Sequence, residues 1–379
     1  MQVSCLQENL AKGLSIVGRA VASRSTLPVL SNVMLATDNG QLKLSATNLE
    51  IGINCWVGAK VIEEGAITIP ARLLGEFINS LPPERIDMKL DESTQTLNLR
   101  CARFESNIKG IDAQEFPIVP TASIGEAAIK LEPSSLRAMI DQVVFAAATD
   151  ESRPILTGVL VQFNEDNMTM AAADGFRLSV KAATLKQNFD DMMEVIIPAR
   201  ALMELGRISG DQEQPVEVII TPARKQILFH LQDIDLVSQL IEGKFPDYNQ
   251  IIPKGYSTRS VMDTTSLLKA VRVSHLFARD SANIVKLEIT PTGDELMNGR
   301  ITLVATSAEL GDNVADVDAS IEGNPMEIAF NAKYLIDVLS IIDSPQVVLE
   351  TSAASSPGVL RSIGDDKFTH VIMPMHISR

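Results

Sequence analysis

The sequence is poor in the residues that build several common kinds of site. It has only three cysteines among 379 residues, Cys5, Cys55 and Cys101, and their spacing matches no disulfide framework or metal-ligand pattern. An odd and sparse set of this kind predicts buried thiols in a reducing compartment such as the cytosol. Aromatic residues make up 4% of the chain, which argues against the stacking platforms that bind single-stranded nucleic acid.

Long apolar runs and catalytic motifs are missing as well. No uninterrupted apolar stretch approaches the ~18 residues of a membrane span. The N-terminus, Met1-Gln2-Val3-Ser4-Cys5, lacks the basic start and apolar run of a signal peptide. The chain has no phosphate-binding loop, no zinc-protease motif and no nucleophile-elbow motif, and its four histidines are scattered. These absences predict a cytoplasmic protein that is not an enzyme and uses no metal or cofactor.

What the chain does contain is one pattern written three times. A short segment with an acid four residues after a cation starts at Pro70, at Pro198 and, with asparagine in place of proline, at Asn331. A capped helix and a strand that ends in a small-residue turn recur in the same order, at intervals of about 126 to 133 residues. We therefore predict three tandem repeats with the boundaries 1–124, 125–253 and 254–379.

Each repeat is predicted to be α+β, with two helices and antiparallel strands. Proline suits the first position of a helix, where its missing amide would be unpaired anyway, and asparagine can cap a helix. Between the helices the apolar residues alternate with period two, which is typical of strands. Hairpins are predicted at Asp38-Asn39-Gly40 and around 164–167. The helices are expected at 7–22, 71–80, 133–148, 198–209, 264–279 and 331–342.

Charge is distributed unevenly along the chain. The net charge is −15, which taken alone argues against nucleic acid as a partner, because phosphate binding depends on Lys and Arg. The six predicted helices nevertheless carry ten cations and five acids, a surplus of five that leaves −20 for everything else. If the helices share one surface, that surface can face phosphates; the alternative is an ordinary solvated amphipathic face.

Two stretches are unusual for a protein surface. One is the turn Ala173–Leu178, which has Phe176 and Arg177 at its exit. The other is the apolar C-terminus, Val371–His376. It is either a last strand tucked into its own sheet or part of a pocket for a partner, since methionine adapts to several ligands.

Four short motifs accompany these features: Thr26-Leu27-Pro28-Val29-Leu30, Asp174-Gly175-Phe176-Arg177-Leu178, Phe245-Pro246-Asp247-Tyr248 and Met373-Pro374-Met375. Together with the three repeats, they resemble the bacterial sliding clamps, the β subunits of the replicative DNA polymerase III. The resemblance covers the whole chain and implies a head-to-tail dimeric ring whose helices line the hole and whose sheets form the outside. Such a ring encircles duplex DNA, slides without reading its sequence and tethers the polymerase, with no catalysis of its own.

The resemblance also implies site residues and partners. Phosphate contacts are expected at Arg24, Arg72 and Arg200, and ring closure through Ser106 and Ile108 against Leu276 and Phe277. Implied partners are the polymerase α subunit, the clamp loader, and other polymerases and repair proteins that carry short clamp-binding peptides, but no membrane. The expected peptide cleft between the second and third repeats comprises Leu156, Ala173, Gly175, Phe176, Arg177, Leu178, Pro246, Ile251, Val371, Met373, Pro374 and Met375.

The chain departs from the family pattern at the rim of this cleft. Phe176 stands where histidine is frequent, and Gln250 stands where arginine is frequent. His376 and the tail Ile377-Ser378-Arg379 follow the last methionine, where the family commonly has arginine. The small Ser106 likewise replaces a large apolar residue at the expected interface. Two other functions remain open at this point: a β-rich adaptor that binds peptides but no DNA, and an enzyme with its site at a domain cleft.

Overall fold

The computed structural model describes residues 1–22, 25–122, 129–221, 225–291 and 298–376. Within these ranges it contains six α-helices, two in each predicted repeat, and each begins within one residue of its predicted start. Their bounds are α1 (Gln7–Val17), α2 (Ala71–Ser80), α3 (Pro133–Val143), α4 (Ala199–Ile208), α5 (Thr264–Ala278) and α6 (Ala332–Leu339). The first and third helices end five residues earlier than predicted, because the chain tightens into 3-10 turns at Gly18–Ala20 and Val144–Ala146.

The helices that follow Pro70, Pro198 and Asn331 begin in two ways. Asn331 caps α6 as predicted, because its Oδ1 accepts the N–H of Lys333 at 2.9 Å. The prediction of proline at the first helical position is wrong by one residue, since Pro70 and Pro198 are the last residues of strands. The ψ angle of Pro70 is 114°, which is extended rather than helical. A proline at a strand end removes no necessary hydrogen bond from the ladder.

The rest of the fold is antiparallel β-structure. In chain order the strands are β1 (Gln2–Leu6), β2 (Asn32–Asp38), β3 (Gln41–Thr47), β4 (Ile51–Val57), β5 (Lys60–Glu63), β6 (Ala66–Pro70), β7 (Arg85–Asp91), β8 (Thr96–Cys101), β9 (Phe104–Lys109), β10 (Ile129–Leu131), β11 (Gly158–Ala173), β12 (Arg177–Pro198), β13 (Val216–Thr221), β14 (Gln226–Leu231), β15 (Ile234–Gln239), β16 (Thr258–Asp263), β17 (Ile284–Pro291), β18 (Asn298–Ser307), β19 (Gly311–Gly323), β20 (Met326–Asn331), β21 (Gln346–Thr351), β22 (Gly358–Ser362) and β23 (Asp365–Ile372).

These strands form three sheets. The first has the order β5-β1-β7-β8-β9, so β9 lies at its edge. The second has the order β10-β13-β14-β15-β4-β3-β2-β6. The third has the order β11-β12-β23-β22-β21-β16-β19-β18-β17-β20. The α+β class and the three repeats are therefore confirmed, and two of the sheets run from one repeat into the next.

The sequence also predicts a strand pair at 347–350 and 359–363 around a Ser/Ala/Pro/Gly loop, which is present as β21 and β22. Of the two hairpins at 38–40 and 164–167, one is present and one is wrong. Asn39 and Gly40 connect β2 to β3 with φ angles of 49° and 78°, as a tight hairpin turn requires. Residues 164–167 do not form a turn; they lie inside the long strand β11. Strand β12 pairs with β11 both before and after these residues. Two shifts of register accommodate Glu165, whose φ is positive at 52°.

The chain divides into two compact units. One comprises Met1–Leu136 and Arg200–Leu240, and the other comprises Arg137–Ala199 and Ile241–Arg379. In the first unit β15 of the second repeat pairs with β4 of the first repeat, which we call the first seam. In the second unit β23 of the third repeat pairs with β12 of the second repeat, which we call the second seam. Backbone ladders thus join the repeats at both seams.

The three cysteines are buried and free, as the sequence predicts. Burial, together with a smaller contribution from the neighbouring acids Asp87 and Asp233, raises the pKa of the Cys5 and Cys55 thiols to about 12. Both thiols therefore stay protonated and unreactive near neutral pH. None of the described helices is long and apolar enough to cross a membrane.

Candidate functional site

The turn between β11 and β12 forms one side of the predicted peptide cleft. The Asp174 carboxylate accepts the backbone N–H groups of Phe176 and Arg177 at 2.8 and 3.0 Å, which closes the turn. Gly175 has a φ of +91°, a conformation that favours glycine. Ala173 and Leu178 flank the turn with buried side chains, so only Gly175 and Phe176 are strongly exposed.

The floor of the cleft is an apolar cluster at the second seam. Of the predicted cleft residues, Ala173, Leu178 and Val371 are buried in it, and Leu156 packs against them. The cluster also contains residues that the sequence prediction missed, namely Leu160, Ala171, Ile196, Phe245, Tyr248 and Val359, with Ile155, Val180, Ile241 and Ile252 packed against them. The motif Phe245-Pro246-Asp247-Tyr248 could have revealed two of them, since its two aromatic residues flank the turn-forming pair Pro246-Asp247.

The rim of the cleft is held in place by backbone hydrogen bonds. The N–H of Met373 donates to the carbonyl of Phe176 at 2.8 Å, so these two exposed side chains are neighbours. The N–H of Met375 donates to the carbonyl of Ala329 at 2.8 Å, which ties the end of the chain to β20. Pro246 and Ile251 are exposed near the cluster, next to Phe245 and Ile252. The C-terminus is thus a strand only as far as Ile372, and Met373, Pro374 and Met375 follow it as irregular chain.

Arg177 is directed away from this surface, with its side chain only 10% exposed. Its guanidinium donates to Asp174 at 3.0 Å, to Asp337 at 2.6 Å and to the carbonyl of Phe145 at 2.7 Å. It also stacks at 4.4 Å over the ring of Tyr334 and at 5.4 Å over the ring of Phe145. This geometry fits a support for the turn rather than a contact with a bound peptide.

His370 lies beside this arginine, fully buried in β23. Its ring stacks on Phe145 with 5.3 Å between centroids, and neither ring nitrogen has a hydrogen-bond partner among the described residues. Burial, together with the nearby charge of Arg177, lowers the pKa of His370 to about 3. The imidazole is therefore neutral in the folded protein.

The residues that depart from the family pattern are at the surface. Gln250 is exposed and donates to Asp247 at 2.9 Å, so it completes a local turn. His376 is exposed as well. The tail Ile377-Ser378-Arg379 lies outside the described residues, as does Arg24, the first of the predicted phosphate contacts.

The cations on the repeated helix have different partners in the three repeats. Arg72 is exposed and pairs with Glu76 on its own helix at 2.8 Å. The corresponding acid Glu204 instead pairs with Arg19 at 3.1 Å and with Arg207 at 2.8 Å. Asp337 pairs with Arg177, as described above. As a result the exposed Arg200 and Lys333 have no ion-pair partner within the described ranges, and both can bind an external anion.

The residues predicted at the ring interface lie at two sheet edges or beside them. Ser106 is half-buried and Ile108 is buried in the edge strand β9. Leu276 is exposed on α5, whereas Phe277 packs partly against the core of the third repeat. The prediction missed Phe104, an exposed aromatic residue on β9. An apolar residue on an edge strand is the signal that could have identified it.

In the part of the chain that the structure describes, no three His, Cys, Asp or Glu side chains are grouped so that they could hold a metal ion. What the described residues offer is an apolar cleft with a fixed rim, exposed cations on helices and unpaired strand edges.

Family models for the DNA polymerase III β subunit match the chain from end to end. The N-terminal-domain model matches residues 1–120, the central-domain model 130–247 and the C-terminal-domain model 249–376. The chain is 33% identical to the β sliding clamp of Synechococcus elongatus over 384 residues, covering 100% of both proteins. It is 31% identical to the β sliding clamp of Staphylococcus aureus over 367 residues, 94% of each.

Solved structures agree with the sequence comparisons. The DNA polymerase sliding clamp of Bacillus subtilis superposes with a TM-score of 0.93 at 27% identity, with 100% of each chain covered. The DNA polymerase III β subunit of Pseudomonas aeruginosa gives a TM-score of 0.91 at 30% identity, also with full coverage. The chain therefore belongs to the β sliding clamps, the non-catalytic β subunits of DNA polymerase III.

Proposed function

We propose that two copies of this chain close head to tail into a ring that encircles duplex DNA, slides along it and tethers the replicative polymerase. The observation that carries this proposal is an unmatched pair of sheet edges. At each seam a strand at the end of one repeat pairs with the strand that follows the small-residue turn of another repeat. Among the described residues of one chain, the third such pair is absent.

The two unmatched edges belong to the first and third repeats. In the first repeat β9 lies at the edge of its sheet. In the third repeat β19 pairs with β18 along one side, while β16 covers only residues 319–323 on the other. In the described chain the far side of residues 311–318 is therefore open. A head-to-tail contact between two copies uses both edges. The ring closes after two subunits if the rotation from one repeat to the next is the same at every contact.

The register of the missing contact follows from the two seams. Ile51, Arg177 and Gly311 occupy equivalent positions after the small-residue turns of the first, second and third repeats. Ser238 lies opposite Ile51 at the first seam, and Ile372 lies opposite Arg177 at the second seam. Transferring this register places Ile108 opposite Gly311 and Phe104 opposite Ala315 of the other copy. Phe104 then occupies the position of Ile234 and Phe368, which are buried at the first and second seams. Its 53% exposure in the single chain is explained by the absence of its partner strand.

The exposed helical cations support binding to the DNA backbone. Among the described residues, Arg200 and Lys333 have no ion-pair partner, and the partner of Arg72 is the exposed Glu76, a pairing that contributes little to stability. Arg24 remains a prediction. A few such contacts to phosphates carry no sequence information. The net charge of −15 means that the rest of the protein surface repels the DNA phosphates. Weak and uniform attraction of this kind is what sliding requires.

The cleft at the second seam supports tethering. Its buried floor and its exposed Phe176 and Met373 offer anchors for the apolar side chains of an extended peptide. We propose that the polymerase α subunit, the clamp loader and other polymerases and repair proteins bind there by such segments. When a polymerase is held on the ring, its effective concentration at the primer end is high.

The decisive experiment is retention on DNA of defined topology. The purified chain is loaded with its clamp loader onto a nicked circular plasmid and onto the same plasmid made linear, and the two are separated from free protein by gel filtration. We expect retention on the circle and loss from the linear ends. Equal retention on both would contradict encirclement, and absence from both at every salt concentration would favour a peptide-binding adaptor.

A further inference from the structure

The first seam carries a copy of the turn that forms the cleft at the second seam. Asn48 Oδ1 accepts the N–H groups of Glu50 and Ile51 at 3.0 and 2.8 Å. These are the bonds that Asp174 makes with Phe176 and Arg177 in the other turn. Glu50 therefore occupies the position of Phe176.

The strand and linker around this turn are copied too. The N–H of Gln239 donates to the carbonyl of Glu50 at 2.9 Å, just as Met373 donates to Phe176. Phe116 is buried in an apolar cluster with Leu30 and Val237. The counterparts of these three residues at the second seam are Phe245, Leu156 and Val371. The first seam thus repeats the architecture of the cleft with different side chains at its rim.

The walls of this second groove are fixed by buried contacts. Asn54 is fully buried, and its amide donates to the carbonyl of Pro120 at 3.0 Å. The Asp235 carboxylate accepts the N–H of Ala122 at 3.0 Å. Gly52 lets Val119 lie against the strand, because a Cβ there would come within 2.7 Å of Val119 Cγ1. The linker is therefore held in place without a ligand, and ordering the groove is not part of the binding free energy.

Between the walls lies a cavity of about 130 Å³. That volume equals roughly four water molecules, or one aliphatic side chain. The cavity is lined by Thr47, Leu49, Glu50, Gly52, Pro117, Ile118, Val119, Pro120, Gln226, Val237 and Gln239.

The chemistry of the lining differs from that of the cleft. Ile118 is 94% exposed and Leu49 is 52% exposed, so two large aliphatic side chains of the lining face solvent. Glu50 and Gln239 replace Phe176 and Met373 at the rim, and Glu50 is the one charged residue among the described residues of the lining. A ligand that matches these groups has an aliphatic side chain beside a cation.

We propose that this groove is a second peptide-binding site, which takes an extended segment with a leucine-like residue next to Lys or Arg. This proposal rests on the proposed function of the cleft at the second seam, because the groove has the same backbone geometry as that cleft. Main-chain groups of the segment lie along the turn, its aliphatic residue enters between Leu49 and Ile118, and its cation pairs with Glu50. The two grooves of one chain then accept segments of different charge, so one partner can hold both or two partners can share the clamp.

The test uses a fluorescent, end-blocked hexapeptide of alternating leucine and lysine, with a matched peptide in which glutamate replaces lysine. Binding is followed by anisotropy on the full chain with Met373→Ala and Met375→Ala, which weaken the first cleft. We expect the lysine peptide to bind this variant, and added Ile118→Ser and Glu50→Lys to weaken it at least about tenfold. Both residues are exposed, so the fold should survive, and circular dichroism checks this.

Each outcome decides the proposal. No binding of the lysine peptide to the Met373/Met375 variant, or binding that the Ile118 and Glu50 substitutions leave unchanged, would overturn it. So would equal binding of the glutamate peptide, since charge selection by Glu50 is part of the claim. Retention of the same variants on circular DNA reports on the ring separately, and failure there leaves the result for the groove intact.

Discussion

At the scale of single residues, His370 is the least expected feature of the second seam. The corresponding position at the first seam is Leu236, which is fully buried opposite Ile53. His370 is equally buried opposite Ser179, but it brings two polar nitrogens that have no partner among the described residues. Burying polar atoms without hydrogen bonds is unfavourable. The second seam is therefore held by the surrounding ladder and by Arg177 in spite of this residue.

This histidine predicts a pH dependence of stability. Its pKa is lowered to about 3 in the folded chain and returns to an ordinary value near 6.5 on unfolding. Below pH 6.5 the unfolded chain binds a proton that the folded chain does not, so the free energy of unfolding falls as the pH falls. The slope is about 1.4 kcal/mol per pH unit between roughly pH 6 and 4. Urea unfolding followed at several pH values measures it.

The matched variant is His370→Leu, which copies the residue of the first seam. It should lack this part of the slope and be at least as stable as the parent at pH 5, since it removes two unpaired nitrogens. Identical slopes in parent and variant would show that other groups carry the acid sensitivity. The carboxylates of Asp91, Asp150 and Asp263 have lowered pKa values and act at lower pH in both proteins.

At the scale of elements, the turn 174–177 is held from behind by α6. Replacing Arg177 by methionine keeps an apolar stem but leaves Asp174 and Asp337 without their cation. We expect a loss of roughly 2–4 kcal/mol in local stability, because partly buried acids lose their partner. Faster amide hydrogen exchange at Met373, whose N–H is accepted by Phe176, would report it. The exchange rate in Arg177→Lys should lie between those of the parent and Arg177→Met, since lysine keeps the charge but not the forked hydrogen-bonding geometry of the guanidinium. Unchanged exchange in both variants would refute the supporting role.

The C-terminal segment gives a second prediction at this scale. Alanine at the exposed Met373 and the half-buried Met375 removes the apolar rim but keeps the backbone bonds to Phe176 and Ala329. We expect polymerase binding to weaken by at least about a hundredfold, since a few buried anchors dominate such interfaces. Surface plasmon resonance measures the affinity, and gel filtration should still give a dimer. Loss of the dimer would instead assign these residues to the fold or the interface.

Local signals explain how far the sequence predicts these elements. Helix positions and the turn Asp38-Asn39-Gly40 depend on neighbours in sequence, and they are found as predicted. The hairpin at 164–167 fails because the partner strand β12, remote at that point of the chain, keeps the segment extended. The partners of Glu204 and Asp337 are also set by remote residues, Arg19 and Arg177, and spacing along one helix cannot reveal them. In the cleft, the turn and the methionines are readable from sequence, whereas the direction of Arg177 is not.

At the scale of the whole molecule, two seams are built into the chain and a third is proposed between chains. In each contact the strand at the end of a repeat has a central residue: Leu236 at the first seam, His370 at the second seam and Ser106 at the proposed contact between chains. The transferred register places Ser106 opposite Asn313. Asn313 Oδ1 already accepts a hydrogen bond from Ser274 at 2.9 Å. The proposed interface thus has a small and polar centre where the first seam has two large apolar residues. This difference suits a joint that must open to admit DNA.

Ser106→Leu should therefore tighten the dimer. Burying a leucine side chain contributes on the order of 1.5 kcal/mol, which corresponds to about a tenfold lower dissociation constant. Analytical ultracentrifugation measures that constant. Ser93→Leu, the same change in the exposed β7–β8 turn, controls for unspecific association. An unchanged or weaker dimer with Ser106→Leu would argue against the transferred register.

The transferred register makes its sharpest prediction at three equivalent positions, Phe104, Ile234 and Phe368. Aspartate at Ile234 or Phe368 puts a charge into a seam that is 5% or 0% exposed within the chain, and we expect both variants to misfold. Phe104→Asp should leave a folded monomer, because only the contact between chains is lost. Its dimer dissociation constant should rise at least about a hundredfold, which sedimentation equilibrium can measure. The monomer should still bind polymerase through the cleft yet leave nicked circles as fast as linear DNA. A stable dimer of this variant would mean that the chains meet elsewhere.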